Sequence, residues 1–590
     1  MAPRSRRLST LAAGVLLLAA LLSGATALAQ DPAPAPSFFV DTLDVRVINV
    51  DVIVTDRSGN SITDLQQDDF ELEVDGKRMP ISNFYAESGG RVRETVRPIE
   101  GRPTDTSFKP IDEVEADPER RSHVVVMVDH SRIRASNRKR AFKALRQAVT
   151  QLDPQDLVAV VGVEDRLVFY SEFLFDRQAV LEILDDISKV SSKLDHTEAQ
   201  RRRIFSELAR GQSGGFLARS VDLDQNSLLT RIQAYAADEH ARSLRSLKQL
   251  ERVIATVAGA PGRRSVLYLT EGMPTRPGEG LYVEWRNRFG GGNPEAAAGM
   301  RRFDFNNDYR RAVGNFDLSQ TMEKVAAKAN RMGVTLYAVD AEGNHGGSVR
   351  SALTEQGATS ETVSVVDANY REPLEFAAQA TGGKLLRSSG TLAKELGKLI
   401  RDFDTFYSIG FRAPDDWGAG SNHNIKIKVP GKKLTVRHRT EVRIPDVDEK
   451  EAGATVAALM YQSPNNPLGI KATPGSEAPR EDGNAVLPIL LEIPVGSLVL
   501  VPQGETHNAS VAIFVSVKDK DGNPGKVQKI PFHLNIPADK VEEAKGESAH
   551  YPLPVVLRSG DRQVAVSVRD DINGSLSTVR VDVEAFSQSF

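Results

Sequence analysis

Four apolar runs decide most of what this chain can become: HVVVMVD (123–129), DLVAVVGVE (156–164), RSVLYLTEG (264–272) and VTLYAVDAE (334–342). None alternates polar with apolar residues, so each reads as a strand buried on both faces, which needs helices above and below it. The segments between supply them. Ser136 can cap a helix that carries Phe142, Leu145, Val149 and Leu152 on one face and stops before Asp153-Pro154. Leu244, Leu247, Leu250, Ile254 and Val257 share a second helical face. Residues 319–332 and 373–380 read as further helices, and Leu392, Leu396, Leu399 and Phe403 mark a closing one. Strands alternating with helices at this spacing predict a doubly wound α/β sheet over residues 122–405.

The flanks change period. Residues 41–87 read as an N-terminal β-domain, with Val50, Val52 and Val54 alternating and a hairpin signal at Asp75-Gly76. Residues 88–121 read as a linker. Alternation returns in 406–444, strands that are expected to complete the N-terminal β-sandwich with the α/β domain inserted between its halves. A Pro/Gly/Glu-rich linker (445–484) then leads to a C-terminal β-sandwich (485–590), in which Val511, Ile513, Val515 and Val517 alternate.

At 590 residues the chain is too long for one core. A formal net charge of −4 lacks the basic surplus of a nucleic-acid binder. The absence of cysteine excludes disulfides, thiolate metal sites and cysteine nucleophiles. Arg4, Arg6 and Arg7 precede an apolar stretch (11–22) that is short for a membrane span, and Ala27-Leu28-Ala29 is suited to cleavage. Residues 1–29 therefore read as a signal peptide cleaved after Ala29, and 30–40 as a linker. The expected location is secreted or periplasmic, with no transmembrane segment after cleavage.

An apolar strand ending in Asp129, with Ser131 two residues on, resembles the first strand of a von Willebrand factor A-type domain. The wider pattern is similar to a family of bacterial secreted proteins with a divergent domain of this type. VDVIVTDRSGNSITDLQQDDFELEVDG (50–76) stands before the domain and FYSIGF (406–411) after its last helix. The resemblance covers roughly residues 40–445. It implies a Rossmann-like sheet and a site for Mg²⁺ or another divalent cation at the C-terminal edge of that sheet. The family's loop is Asp-x-Ser-x-Ser, joined by a threonine and an aspartate from other loops, a set of hard oxygen donors that leaves one position for an acidic ligand. Here Asp129 and Ser131 match, Ile133 takes the second serine's place, and Glu271 stands where the aspartate would fall. Ser227 and Thr230 are the candidates for the threonine. The metal set is thus Asp129, Ser131 and Glu271, read as degenerate, with either no cofactor or a divalent cation.

Other chemistry is weaker. GQSGG (211–215) superficially resembles the nucleophile loop of trypsin-like serine proteases, but it stands among arginines and helical segments. The ten histidines show no ligand spacing, and no glycine follows the first strand to cradle a phosphate. Two long segments leave the C-terminal ends of strands, 273–315 and 343–372, and long loops over a sheet edge are usually functional or disordered. The first carries Trp285, Arg286, Arg288, Phe289 and Tyr309, residue types enriched at protein interfaces. The expectation is a secreted, non-enzymatic protein-binding, adhesion or scaffold protein that meets protein partners at the cell surface or in the periplasm, and no nucleic acid, through these loops. The alternatives are a hydrolase using Asp129, His130 and Ser131, and a purely structural envelope component.

Overall fold

The computed structural model describes residues 47–88, 91–95, 109–110, 121–191, 194–210, 221–289, 305–342, 353–354, 357–386, 392–444, 446–461, 465–561 and 563–583. The expected signal peptide (1–29), the linker 30–40 and the run 211–215 lie outside them.

The chain enters through β1 (Val47–Thr55), β2 (Glu71–Val74), β3 (Lys77–Met79) and β4 (Asn83–Ser88). Asp75 and Gly76 join β2 to β3 with φ of 50° and 77°, the two left-handed residues a tight hairpin requires. Strands Arg91–Thr95 and Lys109–Pro110 extend the sheet beyond β4, inside what the sequence marks as linker.

A parallel sheet follows, built from β5 (Ser122–Asp129), β6 (Leu157–Val163), the antiparallel edge strand β7 (Leu167–Phe169), β8 (Arg263–Thr270), β9 (Val334–Asp340) and β10 (Leu385–Leu386). Its spatial order is β10-β9-β8-β5-β6-β7. The chain runs outward from β5 in one direction and then returns to build the other side. The order therefore reverses between β5 and β8, where loops leaving strand C-termini diverge and open a crevice.

Helices cover both faces. They are α1 (Ala135–Val149), α2 (Arg177–Ile187), α3 (Leu194–Arg210), α4 (Val221–Val257), α5 (Glu279–Phe289), α6 (Phe305–Gly314), α7 (Ser319–Arg331), α8 (Ser360–Ala380) and α9 (Leu392–Asp404). The strand period of two divides β5 between two cores. Val124, Val126 and Val128 pack with Leu145 of α1, Leu184 of α2 and Leu399 of α9, whereas Val125 and Met127 pack with Leu250 of α4 and Val325 of α7.

Several boundaries differ from the sequence reading. Helix α1 begins at Ala135 after Arg134, so Ser136 lies inside it and caps nothing. Helix α8 starts at Ser360 and continues through Pro373, where a proline-based reading places a boundary. Tertiary partners hold this turn: the Tyr370 carbonyl accepts from Met273 N (3.0 Å), and the Asn369 side chain bonds both N and O of Arg276 (2.9 and 2.7 Å). The segment 273–315 contains α5 and α6 rather than a structureless loop.

After α9, β11 (Thr405–Arg412) pairs with β1 and β4, β12 (Asn422–Lys428) pairs with β2, and β13 (Thr435–His438) pairs with β1. Segments on either side of the α/β layer thus share sheets and one apolar cluster, including Val52, Phe84, Tyr407 and Ile427. The expected linker 445–484 instead opens with helix α10 (Val447–Ala458), whose Thr455 Oγ1 donates to Ser567 Oγ at 2.8 Å. The remaining strands form two antiparallel sheets around a cluster that includes Ile489, Leu491, Ile513, Leu553 and Val566. This C-terminal unit covers the edge strand β7: Phe169 N donates to Asp521 O (2.9 Å) and Asn523 Nδ2 to Leu167 O (3.2 Å). Among the described residues no helix is long and apolar enough to cross a membrane.

Candidate functional site

The crevice between β5 and β8 holds the residues singled out by the sequence, but it gives them different partners. Asp129 ends β5 with no solvent exposure. Its Oδ1 accepts from Ser131 N (3.1 Å) and Ser131 Oγ (2.6 Å), and its Oδ2 accepts from the Tyr268 hydroxyl (2.7 Å). Ile133, in the place of the second serine, is fully buried in the core beneath α1. Ser227 and Thr230 are exposed on α4.

Glu271 follows β8, and its backbone N donates to Arg132 O (2.9 Å), so the two loops run side by side. Its carboxylate turns to the start of α1 instead of to Asp129. Arg134 N (2.9 Å), Arg134 Nε (2.6 Å) and Asn137 Nδ2 (2.8 Å) all donate to it. The same guanidinium donates through Nη2 to Glu342 after β9 (2.7 Å). Burial raises the Glu271 pKa, while Arg134 works against the rise.

Arg132, 2 % exposed, points into the helical layer above the edge. It donates to Glu239 Oε1 (3.0 Å), Ser243 Oγ (2.7 Å) and Ser246 Oγ (3.3 Å), all on α4. Burial acts to discharge it, but the charges of Glu239 and Asp129 outweigh burial and its pKa moves upward. Asp340, at the end of β9, is pushed up to about 6 by burial and by the charge of Glu342, with Arg371 at 3.4 Å opposing. What remains open beside Glu271, Asp340 and Tyr370 is a cavity of about 20 Å³, room for one water.

This donor set does not fit a divalent cation. Both oxygens of Asp129 are engaged by hydroxyl and amide donors, and Glu271 is held by a guanidinium that would repel a second cation. Among the described residues, no group of three or more His, Asp or Glu side chains is arranged to hold a metal. Of the expected set, Asp129 and Ser131 bond each other, whereas Glu271 bonds Arg134 and Asn137.

His130 is buried beside Ser131, yet its ring faces Arg138, whose Nη2 lies 3.0 Å from Nδ1. A guanidinium can only donate, so Nδ1 is the acceptor and is unprotonated. Burial, then the charge of Arg138, pushes the imidazole down to about 3. Nδ1 is therefore committed to Arg138, and the Ser131 hydroxyl is committed to Asp129.

Of the expected partner-binding residues, Trp285 is turned inward, and Arg286 and Arg288 are partly buried. Trp285 is 5 % exposed and packs with Tyr235, Leu281, Val313 and Val363 in a cluster made by α3 to α6 and α8. This corrects the expectation of an indole offered to a partner: the apolar side of α5 is buried by neighbouring helices. Arg288 Nε bonds the fully buried Glu284 (2.6 Å), and Arg288 Nη2 bonds Gly357 O (2.9 Å). Arg286 Nη2 bonds Glu361 Oε1 (2.6 Å) at the rim. The side chains of Phe289 and Tyr309 lie outside the described residues.

Sequence reasoning missed Arg132, Arg134, Glu239 and Glu342. A signal was present in SRIRAS (131–136): two arginines flank Ile133, which stands where the family's loop would carry its second serine.

No protein-family profile matches the chain, and no curated protein matches it in sequence. Solved structures show distant similarity. The human COPII-coat protein Sec24c is 12 % identical with a TM-score of 0.23, over 64 % of this chain and 55 % of that one. A von Willebrand factor type A protein from Catenulispora acidiphila is 11 % identical with a TM-score of 0.22, over 86 % and 74 %. A point mutant of the PilB minor pilin from Streptococcus sanguinis is 9 % identical with a TM-score of 0.24, over 62 % and 88 %. The chain thus spans little more than half of Sec24c. At these TM-scores none of the three superposes well enough to carry a function across.

Proposed function

We propose that this is a secreted or periplasmic, non-enzymatic binding or scaffold protein, built on an A-type domain whose sheet edge is closed by its own arginines and works without a metal. The β-modules on either side act as spacers or second contacts. The observation that supports this reading most is the Arg134 guanidinium joining Glu271 and Glu342, at 2.6 and 2.7 Å. It supplies from within the chain the positive charge that a bound cation would bring. Adhesion through a shared cation is then unavailable, and partners meet the outer faces of the helices that roof the edge. The geometry argues against the hydrolase alternative, because the Ser131 hydroxyl is bonded to Asp129 and the His130 Nδ1 faces Arg138 rather than the serine.

Calorimetric titration of the full chain with Mg²⁺, Mn²⁺ and Ca²⁺, repeated on Asp129→Ala, tests the reading. The expected result is no saturable binding to either protein. Saturable binding that disappears in Asp129→Ala would restore the metal site and overturn the proposal.

A further inference from the structure

At the opposite, N-terminal end of the parallel sheet lies a cleft of about 1630 Å³, walled by the first β-module, the α/β layer, α10 and the C-terminal strands. It is larger than the few hundred to about 1,000 Å³ typical of small-molecule pockets and long enough in scale for an extended chain. We propose that this cleft binds an extended acidic peptide segment of a protein partner.

Charge is the first argument. The acidic side chains on the walls are largely spent: Asp51 pairs with Arg263 (3.1 Å) and Glu449 with Arg443 (2.9 Å). Glu451 is the remaining carboxylate on the wall, with its pKa raised by burial. Arg121, Arg264, Arg331 and Arg439 line the same walls. Two of them crowd one point. A Cβ placed on Gly333 would stand 2.9 Å from an Nη of both Arg264 and Arg439, so those nitrogens are at most twice that distance apart. Burial, then the charge of Arg264, pushes Arg439 down to about 10. An anion seated between the two would relieve both terms at once.

The backbone is the second argument. Strand β1 is paired with β11 along Val47–Val52, whereas on its other side β13 reaches only Val52–Thr55. Among the described residues, the first part of β1 thus keeps one strand edge without a ladder partner, and Val47, Ile48, Asn49 and Asp51 all line the cleft. Arg439 Nη2 already donates to Asn49 O (2.6 Å), which places the guanidinium along that edge. An extended segment can pair with such an edge through its main chain while alternate carboxylates meet the arginines. Neither a lone phosphate nor a flat lipid surface would use that edge.

The test is fluorescence anisotropy of the full chain with a labelled hexapeptide of alternating Glu and Val. The Lys/Val counterpart serves as the control, and inorganic phosphate as a competitor. The expected result is saturable binding of the acidic peptide alone, weakened by salt and weakened about tenfold in Arg439→Gln. Arg439→Lys should restore part of it. Arg331→Gln, on a partly exposed side chain, should also weaken binding, and circular dichroism checks that each variant is folded. No saturable binding, equal binding of both peptides, or binding unchanged in folded Arg439→Gln and Arg331→Gln would overturn the proposal. Full displacement by phosphate at its own binding concentration would overturn the peptide assignment in favour of a single-anion site. None of these residues belongs to the crevice at Asp129, so failure here leaves the metal-free reading untouched, and the converse holds.

Discussion

Replacing Arg134 by methionine keeps the aliphatic stem of the side chain and removes the guanidinium. The charge-assisted hydrogen bonds to Glu271 Oε2 and Glu342 Oε1 disappear, while Glu271 keeps the backbone N of residue 134 and Asn137 Nδ2 as donors. The three side chains are 11 %, 2 % and 9 % exposed, so solvent screens the loss poorly. Removing one partner from a buried ion pair costs about 3–5 kcal/mol, and the two donors left on Glu271 place this variant at the lower end, about 3 kcal/mol at pH 8. The sign of the pH dependence follows from Glu271, whose folded pKa is already raised by burial. A carboxylate with a raised folded pKa contributes stability below its unfolded pKa and loses that contribution as pH rises through the folded value. Without Arg134 the folded value rises further, so the penalty should be smaller at pH 5 than at pH 8. Urea unfolding followed by tryptophan fluorescence in a Trp417→Phe background, where Trp285 alone reports, measures it. A loss below about 0.5 kcal/mol at pH 8, the range of an ordinary surface change, would refute the internal-cation argument. An equal loss at both pH values would also refute it.

Two further outcomes are expected. Trp285→Ala should destabilise the helical layer by about 3–5 kcal/mol, as truncating a buried aromatic does, and thermal unfolding should show it; an unchanged melting temperature would mean that the indole is not packed inside. Gly522 has a φ of 82°, and a Cβ there would stand 2.5 Å from Phe169 Cβ. Gly522→Ala should therefore loosen the C-terminal unit from β7 and raise the hydrogen-exchange rate of the Phe169 amide, which a freely accommodated methyl group would leave unchanged.

Sequence alone determined the four buried strands and their alternation with helices. A run such as VVVMV can satisfy its apolar side chains only between two covering layers, and the two clusters divide Val124 from Val125 as that period demands. It also marked the Asp75-Gly76 hairpin and the edge at which Asp129, Ser131 and Glu271 would meet. Tertiary structure alone decided what they would meet. Whether Glu271 faces a metal or Arg134 depends on where the first turn of α1 points. Whether Trp285 is a contact or a core residue depends on α3 and α4, which arrive from a segment far away in sequence. Helix α8 passes through Pro373, and the turn before it is bonded to Met273 and Arg276, partners that no local pattern records. Period and propensity are properties of neighbours along the chain, whereas the charge balance of a buried carboxylate is set by groups more than a hundred residues away, and only folding brings those together.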